Sequence, residues 1–221
     1  MRRVAYAGEG GIFVVGVDGR GRRKLVGGGA VPQWSPDGQR ILFTRGGDIW
    51  VVGVNGTGVR NLTGTSDQEE SGARWSPDGR TILFARSFPG TATRVTNELF
   101  LTNANGTGER RLTSDDVFDG RPSWAPDGQQ IVFVCGFANA HVCVMYSDGT
   151  GRRDLGVRTR NDAPVAWSAD GTKIAYTAPD GSGVEVLSAD GSGRHRVAGV
   201  PSGAVFVAWA TGPRGYLKWW G

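Results

Sequence analysis

The sequence predicts an all-β fold, a five-bladed β-propeller of four-stranded antiparallel blades, and three observations carry that prediction. Tryptophan recurs at near-equal spacing, at Trp34, Trp75, Trp124, Trp167 and Trp209. Four of these open one turn: Trp34-Ser35-Pro36-Asp37-Gly38, Trp75-Ser76-Pro77-Asp78-Gly79, Trp124-Ala125-Pro126-Asp127-Gly128 and Trp167-Ser168-Ala169-Asp170-Gly171. Between the turns lie short apolar and β-branched runs, about four to six residues long, which suit strands rather than helices; no helical period is present. A period of about 40 to 45 residues with four strands per unit is that of a propeller blade, which buries its faces by stacking on its neighbours.

Each element follows from its residues. After the Trp-bearing strand and its turn comes a second strand, at Ile41-Leu42-Phe43, Ile82-Leu83-Phe84, Ile131-Val132-Phe133 and Ile174-Ala175-Tyr176. A third follows at Ile49-Trp50-Val51-Val52, Leu99-Phe100-Leu101, Val142-Cys143-Val144-Met145 and Val184-Glu185-Val186-Leu187. A second turn closes each unit, as at Asp18-Gly19, Asn55-Gly56, Asn105-Gly106, Asp148-Gly149 and Asp190-Gly191, because Asn-Gly and Asp-Gly accept the positive φ of tight reversals. The fourth strand is the outermost.

The ends differ from the middle. Residues 1 to 27 supply three strands (Arg3 to Ala7, Ile12 to Val15, Arg23 to Val26) without a Trp-bearing first strand, whereas Gly203 to Trp209 form a first strand with nothing complete after it. The C-terminal strand is therefore expected to complete the first blade. The alternative is a truncated six-bladed ring in which Tyr216 to Trp220 begin another blade.

A chain of 221 residues with no linker, charge block or low-complexity stretch reads as one domain over 1–221. No run of eighteen apolar residues occurs, so no helical membrane insertion is expected. Met1 to Tyr6 lead straight into a strand without an apolar leader, so the chain either stays in the cytoplasm or lacks its leader here. The net charge of +4 and pI near 9.4 raise the question of nucleic acid. The basic residues Arg22, Arg23, Lys24, Arg110, Arg111, Arg152, Arg153, Arg194 and Arg196 stand at equivalent places after the second turn, where charge protects an outer strand from edge pairing. No aromatic platform is interleaved with them, and nucleic acid is not expected as a partner.

The pattern Trp-Ser-Pro-Asp-Gly, Ile-x-Phe, Ile-Trp/Phe-Val-Val, Asn/Asp-Gly-Thr-Gly and Arg-x-Leu-Thr (Arg60 to Thr63, Arg110 to Thr113) resembles the WD40-like repeat of TolB-type β-propellers, over essentially the whole chain. Relatives with such propellers include a periplasmic protein that scaffolds a cell-envelope complex, propeller domains attached to serine peptidases, and some polysaccharide lyases. The resemblance thus implies a periplasmic or secreted location, with the cytoplasm as the alternative. Fold analogy does not choose among these functions.

The residues argue against catalysis. A propeller peptidase needs a separate hydrolase domain with a Gly-x-Ser-x-Gly elbow, and the chain has neither the elbow nor the length. A lyase of the related kind uses several His residues around a metal; only His141 and His195 are present, and His195 takes the place of Arg23, Arg60, Arg110 and Arg153. Asp115 to Gly120 has a partial calcium-loop pattern, but Val117 sits at a ligand position and no closing Glu follows. The Asn55 and Asn105 sequons are repeat turns. Neither cofactor nor metal is expected.

Cys135 and Cys143 fall on the two central strands of the fourth blade. With Gly136 to Ala140 as the loop, Cys135 faces His141 and Cys143 is its diagonal neighbour, beyond the Cβ separation of about 3.5 to 4.5 Å that a bridge needs. Two buried thiols are expected, with a disulfide if the register shifts by two residues.

One side of the blades carries the uniform Pro-Asp-Gly and Asn-Gly turns; the other carries the segments Thr63 to Gly72, Ser87 to Thr96, Ser114 to Gly120, Gly136 to Ala140 and Gly156 to Asp162. Variable loops on a rigid frame are where recognition sits. Candidate partner-binding residues on that side are the acids Glu69, Glu70, Asp115, Asp116, Asp119 and Asp162, the arginines Arg94, Arg121 and Arg160, and the aromatics Phe88 and Phe118. The expected function is a noncatalytic, monomeric scaffold that binds a protein or peptide through these anchors. The alternative is a propeller that binds or cleaves a carbohydrate or peptide in its central channel, marked by convergent carboxylates of raised pKa.

Overall fold

The computed structural model describes residues 3–88, 96–115, 117–204, 208–209 and 217–218. All its regular elements are β-strands. The first sheet holds β1 (Arg3–Gly8), β2 (Gly11–Gly16) and β3 (Arg23–Gly27). The second holds β4 (Ala30–Trp34), β5 (Arg40–Arg45), β6 (Asp48–Gly53) and β7 (Arg60–Asn61), and the third β8 (Glu69–Trp75), β9 (Thr81–Phe88), β10 (Thr96–Asn103) and β11 (Arg110–Arg111). The fourth holds β12 (Asp119–Trp124), β13 (Gln130–Cys135), β14 (His141–Tyr146) and β15 (Arg153–Arg158), and the fifth β16 (Ala166–Trp167), β17 (Lys173–Thr177), β18 (Val184–Ser188) and β19 (His195–Arg196). Strands follow one another in sequence order within each of these five sheets.

The C-terminal strands differ from the expected closure of the first blade and pair with each other as in the alternative reading. Among the described residues the first sheet has three strands, and β20 (Ala208–Trp209) pairs with β21 (Leu217–Lys218) rather than with β1. The sequence between β20 and β21 is short and carries Gly212, Pro213 and Gly215. Closing so short a loop costs less entropy than returning to a strand near the start of the chain. Trp219 and Trp220 lie outside the described residues.

Turn chemistry explains the repeat. Ser35 Oγ donates to Asp37 Oδ1, and Asp37 Oδ1 accepts Gln39 N–H at 2.9 Å, while Arg40 N–H is taken by Ser35 Oγ. Ser76 with Asp78 and Ser168 with Asp170 repeat the knot. Gly38 follows with φ 65°, a conformation open to glycine without steric cost. In the second turn Asn55 Oδ1 accepts both the N–H and the hydroxyl of Thr57, as Asn105 does for Thr107 and Asp148 for Thr150. The Asn-Gly-Thr sequons are thus used up in making turns.

The chain divides into two compact units, Met1–Pro89 with Phe100–Arg110, and Gly90–Leu99 with Arg111–Gly221. In the first unit, Ile12, Val14 and Leu25 pack with Ile41, Phe43 and Val52, and Leu42, Ile49 and Val51 pack with Ile82, Phe84 and Phe100. In the second, Val132, Val142 and Val144 pack with Val165, Trp167, Ile174 and Tyr176. Each core is therefore shared between consecutive sheets, so a single sheet has no core of its own.

The Trp-bearing strands are bulged. Register breaks between Ala30 and Gln33, between Ser71 and Arg74, and between Gly120 and Ser123. Within these bulges Val31, Gly72 and Arg121, each three residues before its Trp, have φ of 51°, 64° and 55°. A bulge bends the strand and re-aims the extra side chain.

Candidate functional site

Among the described residues, several of the candidate variable-loop residues of the second unit lie close together. Phe118 packs edge-on against Phe137 with ring centroids 5.7 Å apart, and Phe137 is 66% exposed. Asn161 Nδ2 donates to Phe137 O at 3.0 Å, and Arg121 Nε donates to Asn161 O at 3.4 Å. Arg160 clamps Asp162 through Nε to Oδ1 at 2.8 Å and Nη2 to Oδ2 at 2.6 Å. That clamp holds the Asp162 carboxyl below its usual range and raises the Arg160 guanidinium. Thr159 fixes the segment from beneath: its N–H donates to Ala140 O and its hydroxyl to Thr177 O.

Beside them lies an open cleft of about 420 Å³, walled by Phe137, Arg158, Arg160, Asn161, Asp162 and Pro179 among others. Its apolar side is Phe137 and Pro179; its polar side is the Arg160–Asp162 pair and the Arg158 guanidinium, whose Nη2 is tied to Asn139 Oδ1 at 3.1 Å. Such a surface suits a peptide with an apolar side chain against Phe137 and Pro179 and an acceptor for the remaining donors of Arg158. Four expected residues (Phe118, Arg121, Arg160 and Asp162) are drawn together here. Phe137 was not among the expected anchors, although its loop was; the signal was a lone bulky aromatic in a short loop, Gly136 to Ala140.

Two of the expected acids, Glu70 and Asp119, serve the interior instead. Glu70 is buried, and its carboxylate takes Arg86 Nε at 2.7 Å and the hydroxyls of Thr63 and Thr65. Arg86, itself buried, also grips Glu109 through Nη1 and Nη2. Asp119 has no exposure and is held by Arg152, which also reaches Asp115. Glu69 is exposed beside this network. Phe88 is half-buried against Phe100, with centroids 6.0 Å apart. Arg94 and Asp116 lie outside the described residues.

One group of carboxylates among the described residues has oxygens close enough to share an ion: Glu98, Asp115 and Asp119, within 4.8 Å of one another. Burial pushes Asp119 up to about 7 against the pull of Arg152, with Asp115 and Glu98 adding to the rise. Arg152, which reaches both Asp115 and Asp119, and Arg111, 3.0 Å from Glu98, already pair with all three carboxylates, and Thr113 donates to Glu98 at 2.6 Å. The donor set therefore reads as an ion-pair knot, not a metal centre.

Cys135 and Cys143 form a disulfide, which corrects the expectation of two free thiols. The register is the expected one, with Cys135 opposite His141 and Cys143 opposite Phe133. The right-handed twist of paired strands shortens one diagonal, and the two Cα atoms lie 5.9 Å apart, within the range for a bridge. His141 Nδ1 meets Asp154 Oδ2 at 2.5 Å on the same sheet.

Comparison with known proteins agrees with this fold. Residues 22–94 match the model of the dipeptidyl peptidase IV (DPP IV) N-terminal region. The Tol-Pal system protein TolB of Anaeromyxobacter dehalogenans (strain 2CP-C) is 34% identical over 121 residues, 52% of this chain. The chain spans only 27% of that protein's length. TolB from Acinetobacter baumannii superposes with a TM-score of 0.67 at 22% identity, over 87% of this chain and 50% of that one. A chain of a nidogen/laminin complex superposes with a TM-score of 0.73 at 14% identity, over 99% and 85%. The fold is a β-propeller of five antiparallel blades, an architecture whose faces present loops from a rigid frame. Its repeats are similar in sequence to TolB over 121 residues, and its fold is similar to that of TolB.

Proposed function

We propose that this chain is a noncatalytic β-propeller scaffold that binds a protein or peptide of the bacterial cell envelope through its variable loops. The observation that carries the proposal is the Phe118–Phe137 pair beside the Arg158 and Arg160 guanidinium groups around one cleft. Exposed aromatics and arginines on ordered backbone are the side chains that dominate protein contacts. Similarity to TolB of the Tol-Pal system supports an envelope role and a periplasmic location.

The competing reading is a channel that binds or cleaves a carbohydrate or peptide, and it draws on the clustered carboxylates of Glu98, Asp115 and Asp119. Asp119 is fully buried and gripped by Arg152, which leaves it unable to reach a substrate without breaking the pair. The scaffold reading needs no such rearrangement.

The test is capture from an envelope extract of the source organism, followed by reconstitution of the captured protein with the purified chain. Phe137→Ser with Arg160→Ser is expected to abolish binding while leaving the thermal midpoint within a few degrees of the parent. A partner that binds the double variant as well as the parent would place recognition elsewhere. If no protein reconstitutes and a glycan or peptide panel is bound or cleaved, the channel reading replaces this one.

A further inference from the structure

Every blade solves one packing problem on the inner strand next to its outermost one (β2, β6, β10, β14 and β18). The aligned positions are Phe13, Trp50, Phe100, Cys143 and Glu185, each following a buried aliphatic (Ile12, Ile49, Leu99, Val142, Val184). An arginine covers that side chain in four blades. Arg22 lies 4.4 Å from the Phe13 ring, Arg45 3.6 Å from Trp50 and Arg86 4.6 Å from Phe100, while Arg194 Nε donates to Glu185 at 2.8 Å. The arginine comes either from the end of the second strand (Arg45, Arg86) or from the start of the fourth (Arg22, Arg194).

The fourth blade keeps the arginine, which lies 5.4 Å from the second-strand Phe133 ring as Arg86 lies 5.4 Å from Phe84, but it has no ring on the third strand. Arg152 occupies the place of Arg22 and Arg194, Cys135 the place of Arg45 and Arg86, and Cys143 the place of Phe13, Trp50 and Phe100. A disulfide fills far less volume than an indole or phenyl ring with a guanidinium. At this place lies an open cleft of about 530 Å³ walled by Cys135, Cys143, Arg152, His141, Asn139 and Val117 among others.

We propose that this cleft is a slot for an aromatic ring, supplied by a Phe, Tyr or Trp side chain of a partner polypeptide. The guanidinium of Arg152 faces the electron-rich face of the ring, and the disulfide sulfurs form its floor. The ion pairs of Arg152 with Asp115 and Asp119 do not oppose this: Arg86 binds Glu70 and Glu109 and covers Phe100 at the same time. The loop Gly136 to Ala140 contributes Asn139 to this slot and Phe137 to the neighbouring cleft, so one extended peptide can engage both. The source of the ring rests on the scaffold reading; the slot itself does not.

The test uses N-acetyl-L-tryptophanamide as probe and backbone amide NMR as readout. Saturable shifts at Val117, Asn139 and Cys143 are expected at millimolar probe. Cys135→Gly with Cys143→Phe rebuilds the set of the first blade (Gly8, Phe13, Arg22) and fills the slot; affinity is expected to fall by about tenfold or more. Asn139→Trp, at an exposed loop position on the cleft wall, is a second blocked form should the first not fold. Absence of saturable shifts in the parent, or equal binding by a folded blocked variant, overturns the slot. Probe binding in a chain that captures no protein overturns the scaffold reading and leaves the slot standing.

Discussion

Arg152 holds Asp119 through two parallel hydrogen bonds, Nη1 to Oδ2 at 2.8 Å and Nη2 to Oδ1 at 3.0 Å, around a carboxylate with no exposure to solvent. Burial works against the ionised form more strongly than Arg152 works for it, and the Asp119 pKa rises to about 7. The unfolded chain titrates this group near the ordinary aspartate value of 3.8. A pKa raised in the folded state contributes stability that is fully present below the unfolded value and is lost as pH rises through the folded one.

Stability from this group is therefore expected to fall between about pH 4 and pH 7, by at most about 4 kcal/mol for a shift of roughly three units. Asp119→Asn, which fixes the neutral form, removes that dependence. Urea midpoints of parent and variant at pH 5 and pH 8 measure it: the parent should lose ground to the variant at pH 8. Parallel behaviour of the two proteins would show that Arg152 keeps Asp119 ionised throughout.

The Arg86–Glu70 pair makes a different prediction because both partners are buried, with side-chain exposures of 7% and 0%. Removing one partner strands the other. Arg86→Ala is expected to lower stability by about 3 to 5 kcal/mol, whereas Arg86→Met with Glu70→Leu, which removes both charges, should recover most of that. Equilibrium denaturation of the single and double variants decides it. A double variant as unstable as the single one would mean that Thr63, Thr65 and Glu109 depend on the charges themselves.

The turns were legible in the sequence because their chemistry is local: Ser35 and Asp37, or Asn55 and Thr57, bond within two residues. The strands were legible for the same reason, through short apolar runs between those turns. The roles of Glu70 and Asp119 were not, because their arginines lie 16 and 33 residues away. Their position was a usable signal: Glu70, Asp119 and Asp162 all stand five residues before a Trp, so the first two mark a repeated structural place rather than a free loop acid. Asp162, at that same place, pairs instead with the nearby Arg160 on the exposed surface. The disulfide lay beyond sequence reasoning because register alone does not give the twist that brings a diagonal pair together.

The disulfide closes a loop of sequence separation 8 within one hairpin. Loop-closure entropy for so short a loop amounts to about 2.5 kcal/mol. Cys135→Ala with Cys143→Ala is expected to lower stability by about that amount and to leave the far-ultraviolet dichroism unchanged. A reductant should destabilise the parent and not the variant. If reductant leaves the parent's urea midpoint where it was, the bridge contributes nothing to the fourth blade.

Arg121 joins strain to recognition. It is not a glycine, yet it sits at φ 55°, and the equivalent place in the third blade is Gly72 at φ 64°. The left-handed conformation costs an ordinary residue about 1 to 2 kcal/mol, while glycine adopts it freely. Strain retained on an exposed rim residue is consistent with a side chain kept for what it touches. Arg121→Gly is expected to raise stability by about 0.5 to 1 kcal/mol, after allowing for the greater backbone entropy of glycine. The same change removes the Arg121 Nε contact to Asn161 O and is expected to weaken partner capture at the Phe137 rim. Val31→Gly is the control. Val31 shares the bulge position at φ 51°, in a blade that lacks the Phe118–Phe137 pair, so the change should stabilise without touching capture. Denaturation midpoints and capture of the reconstituted partner are measured on the same samples. Loss of capture in both variants would trace the effect to the bulge backbone; loss in Arg121→Gly alone assigns it to the guanidinium.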